Sequence, residues 1–346
     1  MLYLSTRDHR DAYTAHRALV QDRAGDGGLF VPFHLTPFSG KELDALLSLP
    51  SGQITAEILN LFFGKRLSCF DVEFTVGKLP VRVRNLGNRI SVAEFWHVPG
   101  EEFAWSCQKL SHKLLESYGI SFCSEWFPIA LRTAMLFGVF GLLRKEGKSD
   151  GADPVDISLN AGNLSDVLAV WYARQLGLPV GNILCCCADN SSLWELLHQG
   201  SMRTDRVGIS SCVSSSDTVL PPSLERLIFA AGGFEETYRY LHACRTGSVY
   251  RINPALRRRL GEGMEAPVVT SGRIPDAASN IFSTYSVLLG PDAVLSYTGL
   301  LDYRSITGIS RRAIILSDRA PGKDVPFFLR SLPLSPEQLR EHIDTM

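Results

Sequence analysis

Apolar positions recur along the chain at two spacings, and the alternation between them describes an α/β protein. Residues 41–47 and 54–63 place apolar side chains at helical intervals, whereas 80–83 and 90–95 alternate like strands around a turn at 85–88. Near the start, Asp26-Gly27-Gly28 is a turn signal, and the short apolar segment 29–31 that follows is stopped by Pro32. Residues 105–118 read as a helix closed by Gly119, and an apolar run follows over 127–143. A mixed polar linker, 144–154, leads into a strand at 155–159, a loop at 160–165, a helix at 166–176 and a strand at 181–188. Strand, loop, helix and strand in that order form a unit whose two strands pair in parallel.

The run 127–143 is marginal in length for a bilayer span and carries Arg132 in its first half, so it is expected to be a buried helix. With 346 residues, 45% of them hydrophobic, the chain can bury the core of one or two globular domains. A formal net charge of −1 gives no electrostatic footprint for nucleic acid or an anionic membrane. The short basic runs Arg257-Arg258-Arg259 and Arg311-Arg312 lie among scattered acids and read as solvated surface. The first eight residues lack a basic stretch followed by an apolar core, so no signal peptide is expected, and the protein is placed in the cytoplasm. Of the eight cysteines, Cys185, Cys186 and Cys187 are consecutive in a strand and point alternately to opposite faces, so they cannot converge on one metal. The others (Cys69, Cys107, Cys123, Cys212 and Cys244) have no C-x-x-C spacing, and free thiols with no metal site are expected.

An ordered set of short motifs resembles the threonine synthase family. Tyr3-Leu4-Ser5-Thr6-Arg7 and residues 25–32 are similar to its Y-S-T-R and D-G-G-L-F-V-P segments. Residues 94–105 are similar to E-L-F-H-G-P-T-x-A-F-K-D, 161–166 to T-G-N-F-G-D and 220–229 to S-N-L-E-R-L-x-F. Residues 290–297 stand for D-P-H-T-A-V-G-Y, with Asp292 in place of the histidine, and 313–318 for the strand before A-H-P-A-K-F. The resemblance implies a three-layer α/β core with a largely parallel sheet, like the large domain of fold-type-II pyridoxal phosphate enzymes. It also implies three regions: an N-terminal region 1–93, a remnant of the lysine helix and small domain over 94–143, and a large α/β domain over 144–346.

The departures from the pattern are as informative as the matches. Ala104 stands where the family has the lysine that holds pyridoxal phosphate, and Trp105 where it has aspartate. A methyl group can neither form an imine nor return a proton. Lys109 and Lys113 sit about 140° and about 180° around the same helix from position 104, so neither substitutes without moving the helix. Residues 120–124 resemble the family's L-N-S-A-N segment, yet only the turn at Gly119 separates them from the lysine helix. The block that carries most of the closing lid domain in relatives is missing.

The loop Gly162, Asn163, Leu164 and Ser165 resembles the family's cofactor-phosphate loop. A glycine after a strand and a helix opening behind it can cradle an anion. Ala161 and Ser165 replace a threonine and a glycine there, and Ser165 either donates to an anion or caps the helix. The resemblance implies that Asp318 replaces the hydroxyl residue that in relatives meets the pyridine nitrogen, or, with the alignment shifted by one, that Ser317 keeps it; Asp318 otherwise pairs with Arg319 or caps a turn. His97 keeps the histidine of F-H-G-P and reads as a structural hydrogen-bonder.

Loss of lysine, lid and site glycines together points to a non-catalytic threonine-synthase-like protein with a binding, regulatory or assembly role. No catalytic residue and no bound cofactor are expected. The alternative is a pyridoxal-phosphate-dependent threonine synthase, converting O-phosphohomoserine to threonine, or a related lyase. Either enzyme would need a relocated lysine or a complementing chain. The expected partners are a small phosphate-like anion and a homo- or hetero-oligomer covering the surface the lid has left. That surface is sought along 127–143 and at Phe103 and Trp105; nucleic acid and membrane are not expected.

Overall fold

The two central strands of the main sheet, at residues 155–160 and 313–317, are buried along their whole length, so both faces of the sheet are covered there. The computed structural model describes residues 1–8, 10–64, 67–77, 81–116, 124–147, 153–188, 191–205 and 223–345. Pro80, Gly119, Cys123, Cys212 and the segments 120–123, 148–152 and 220–222, each read above from sequence, lie outside the described residues.

At the N-terminus β1 (Leu2–Ser5), β2 (Tyr13–Thr14) and β3 (Phe30–Pro32) make a small antiparallel sheet. The main sheet takes β4 (Arg82–Gly87), β5 (Ile90–Glu94), β6 (Val155–Asn160) and β7 (Val180–Cys186). A short ribbon of β8 (Ser201–Arg203) and β9 (Val249–Arg251) stands apart, and β10 (Met264–Glu265) and β11 (Ala313–Ser317) complete the main sheet. Its order is β10-β7-β6-β11-β5-β4, parallel throughout except for β4, which pairs antiparallel at one edge. The α/β architecture and the parallel β6–β7 pair match the sequence reading. Since β5 sits beside β11, the boundary expected at 93/94 does not separate two bodies: residues 82–94 belong to the same sheet as the C-terminal region.

Alternation of side chains divides the interior into two cores. Ile157, Ile183, Cys185, Cys187, Ile314 and Leu316 face one, while Val92, Leu184, Cys186, Ala313 and Ile315 face the other. The three consecutive cysteines are thereby split between faces, and all three thiols are free and buried.

The larger core is organised by the helix Trp126–Lys145. Its 20 residues are long and apolar enough to cross a membrane by length and composition, but it packs between the helices Ser51–Phe63 and Leu164–Gln175, with Phe127, Leu131 and Phe137 fully buried. A helix apolar on every side needs protein on every side. This corrects the expectation of an open apolar surface along 127–143; Phe103 is buried as well, and Trp105 is half-buried. The helix Phe103–Leu115 precedes it, separated only by residues 116–125, an interval far shorter than the roughly 50 residues a small domain requires. Among the described residues there is no second parallel sheet.

On the opposite face the helix Pro291–Thr307 lies against β6, β7 and β11. Its approach depends on Gly299, where a Cβ would fall 2.5 Å from the Cys186 Sγ and 3.1 Å from the Cys186 Cβ. Replacing Gly299 by Ala is expected to cost about 1–3 kcal/mol in urea denaturation, because the helix must move off the sheet. A Cys186→Ala change made on top should recover part of that loss. No recovery would show that the helix is positioned by something other than this contact.

Candidate functional site

Parallel strands end on the same edge of a sheet, and the crevice beyond their carboxyl ends is where α/β folds collect polar groups. β6 ends at Asn160 and β11 at Ser317. From Asn160 the chain turns through Ala161, Gly162 and Asn163 into the helix Leu164–Gln175. Asn160 organises the turn with its own side chain. Its Oδ1 accepts from the Gly162 amide at 2.9 Å, its carbonyl accepts from the Asn163 amide at 3.3 Å, and its Nδ2 donates to Asp292 at 2.9 Å. Asp292 belongs to the first turn of Pro291–Thr307, so the loop is tied across the crevice to the opposite layer.

Two of the amides expected to cradle an anion therefore already have acceptors. Leu164 is buried, and Ser165 shares a hydrogen bond with Ser223 at 2.9 Å. Ser165 does not cap the helix, because the N-cap position falls on Asn163, which makes no side-chain cap. Asn163 instead donates from Nδ2 to Asp166 Oδ2 at 2.9 Å, and the Asp166 carboxylate sits in the helix's first turn, where its negative end suits the local dipole.

The opposite wall supplies a residue the sequence reading did not place. Arg132 projects from Trp126–Lys145, fully buried, with Nε donating to Asp166 Oδ1 at 2.9 Å and Nη2 paired with Asp318 Oδ1 at 2.5 Å. Its guanidinium carbon lies 3.6 Å from the centre of the Phe103 ring and 4.1 Å from that of Phe95, so the cation is held between two aromatic faces. Asp318 thus pairs with Arg132, and not with Arg319, which reaches Glu102 and Asp324. A signal for this was present in the sequence: an arginine within a wholly apolar helix must find buried counter-charge.

Main-chain bonds seat the same group. The Phe103 amide donates to the Asp318 carbonyl at 2.9 Å, and the Phe95 amide donates to that of Ser317 at 2.8 Å. Burial opposes the charge on Arg132, but the two carboxylates outweigh it and hold its pKa up. Burial, reinforced by Asp318 and resisted by Arg132, pushes Asp166 up to about 7. One cation serves two acids, so a proton on Asp166 is easily kept.

Ala104, next to Phe103, is exposed. On the same helix Lys109 lies 5.7 Å from the Trp105 ring centre, and Lys113 pairs with Glu116 at 3.0 Å, as solvated lysines do. His97 bonds through Nε2 to Glu94 at 3.1 Å. Glu94 is a buried carboxylate also held by Arg82 at 2.6 Å and Arg84 at 2.8 Å. Burial and Arg82 draw the His97 pKa down, which suits a neutral structural hydrogen-bonder. Beside Asp318 there remains a cleft of about 220 Å³ lined in part by Asp292, Arg319, Lys323 and Asp324.

The loop after β6 and Asp318 after β11 thus both lie at the carboxyl ends of neighbouring parallel strands. Residues 2–76 match the threonine synthase N terminus family. The fold of the whole chain is that of the threonine synthases. It superposes on the pyridoxal-phosphate-bound threonine synthase of Brucella melitensis with a TM-score of 0.84 at 16% identity, covering 99% of this chain and 94% of that one. Yeast threonine synthase gives a TM-score of 0.84 at 15% identity, covering 100% and 94%. Among curated proteins, threonine synthase-like 1 of Pongo abelii is 21% identical over 192 residues, 55% of this chain and 24% of the relative. The human protein of the same name is 22% identical over 157 residues, 44% and 21% respectively. The alignments thus span less than a quarter of the length of these two relatives.

Removing Arg132 as Arg132→Met should destabilise the protein by about 3–5 kcal/mol, because the buried Asp166 and the half-buried Asp318 lose their shared cation. The pH dependence follows from Asp166. Its folded pKa is raised from 3.8 to about 7, so its contribution is complete below about pH 4 and is lost as pH rises through about 7. Asp318→Asn removes a repelling neighbour, and its unfolding free energy should fall less steeply over that window. An unchanged slope would remove Asp318 from the coupling.

Proposed function

We propose that this chain is a threonine-synthase-like protein that does not carry out pyridoxal phosphate chemistry and serves instead as a binding or regulatory protein. The observation that carries this reading is Arg132. Its guanidinium joins the acid at the ring-nitrogen position, Asp318, to the acid behind the phosphate-type loop, Asp166. The two groups that would face opposite ends of a cofactor are engaged with the protein's own cation.

The remaining features fit a covalently held cofactor poorly. Ala104 offers no amine, and the Gly162 and Asn163 amides are committed to Asn160. Pyridoxal phosphate is bound in the threonine synthase of Brucella melitensis. Any small anion at the crevice would meet the hydroxyl of Ser165, which is shared with Ser223, close to Asp166.

Incubation with pyridoxal phosphate, followed by borohydride reduction and peptide mapping, tests the reading. No lysine should be modified stoichiometrically, and no absorbance of an internal aldimine should develop. A single lysine labelled in full, Lys323 beside Asp318 included, would overturn it and favour an enzyme with a relocated amine.

A further inference from the structure

On another face of the molecule a larger cleft, of about 790 Å³, opens between the end of β3 and the C-terminal half of the helix Leu164–Gln175. It shares no lining residue with the crevice at Asp318. Its walls combine two properties that rarely coincide without a ligand. One is apolar: Phe33 projects at the mouth with 60% of its surface exposed, and Leu35 and Phe229 continue the lining. The other is cationic. Arg174 and Arg259 both line the cleft, and among the described residues no carboxylate lies within ion-pair distance of either.

Arg174 is held rather than loose. Its guanidinium carbon sits 4.9 Å from the centre of the Trp171 ring, and Nη1 donates to the Gly263 carbonyl at 3.2 Å. Arg259 is fixed from the far side, where the long helix Ser223–Thr246 breaks at Gly233 (φ 77°) and the Ala231 carbonyl accepts from Arg259 Nη1 at 2.7 Å. Each guanidinium spends one N–H on a carbonyl and keeps the rest of its planar fork. Glu262, also in the lining, is exposed; it stands 4.0 Å from Arg258 and adds its negative charge to the surroundings of Arg174 without an ion pair to it. Burial lowers the Arg174 pKa, and the charge of Glu262 only partly opposes it.

We infer that this cleft binds a small organic anion, a carboxylate on an apolar or aromatic body, with the head on Arg174 and Arg259 and the body against Phe33, Leu35 and Phe229. Fixed forks match carboxylate oxygens, and the exposed phenyl ring gains a partner. The inference does not depend on whether the chain is catalytic.

Calorimetric titration of the full chain with 2-naphthoate, its neutral amide and inorganic phosphate separates the parts. Naphthoate should bind saturably, about tenfold or more tighter than the amide and than phosphate. Arg174→Met keeps the stem on Trp171 and should weaken naphthoate about tenfold without affecting the amide. Should that variant not fold, Arg259→Met and Phe33→Ser, both at exposed positions, should each weaken binding several-fold with an unchanged melting temperature. The inference fails if naphthoate does not saturate at millimolar concentration. It also fails if amide and naphthoate bind alike, or if folded variants bind naphthoate as the parent does.

Discussion

A guanidinium placed between two carboxylates and two phenyl rings, out of reach of water, fixes the geometry of this molecule's crevice. Bringing Arg132 into the interior costs several kcal/mol in lost hydration, and that cost is offset only when both acids and both rings are in place. The four partners come from four separate places: the first turn after β6, the turn after β11, the end of β5 and the start of the helix Phe103–Leu115. Each must arrive for the charge to be tolerated. The arrangement therefore acts as a register pin, holding elements of distant sequence in one relative position, with Asn160 and Asp292 repeating the linkage toward the other layer.

The same pin changes what the crevice can do. An acid facing a ligand must keep a lone pair directed outward, and an amide cradle must keep its N–H groups free. Here Asp318 is turned to Arg132, and the loop amides of Gly162 and Asn163 are turned to Asn160. The Phe103 ring centre lies 3.6 Å from the Arg132 guanidinium carbon, and the residue after it, Ala104, is exposed at the edge of this packed cluster. With only residues 116–125 joining the two helices that follow, water is kept from Arg132 by side-chain packing rather than by a closing domain.

Much of this was legible in the sequence because it rested on periodicity and local chemistry. The strand, loop, helix and strand over 155–188 followed from apolar runs bounded by glycine and proline, and the division of Cys185, Cys186 and Cys187 between faces followed from the strand repeat. What could not be read was which charges meet. Arg132 and Asp318 are far apart in sequence, and nearby Arg319 was the plausible local partner. Pairing across a fold depends on side-chain direction, which spacing within one element does not encode. The expected open surface at 127–143 failed for a related reason. The helix has no polar face, and its neighbours Ser51–Phe63 and Leu164–Gln175 close around it.

A fold shared with threonine synthases at 15–16% identity, alongside a crevice rebuilt at its charged positions, reflects two unequal constraints. Packing restricts volume and polarity, and many apolar side chains satisfy it provided that the core fills. Chemistry restricts single atoms: one amine, one directed lone pair, a few free amides. Replacing lysine by alanine at 104 costs the fold nothing, since the position is exposed. Replacing Arg132 would disturb the fold directly. The crevice charge is thus set by packing: Arg132 is fully buried, while Ala104 beside the cluster is exposed.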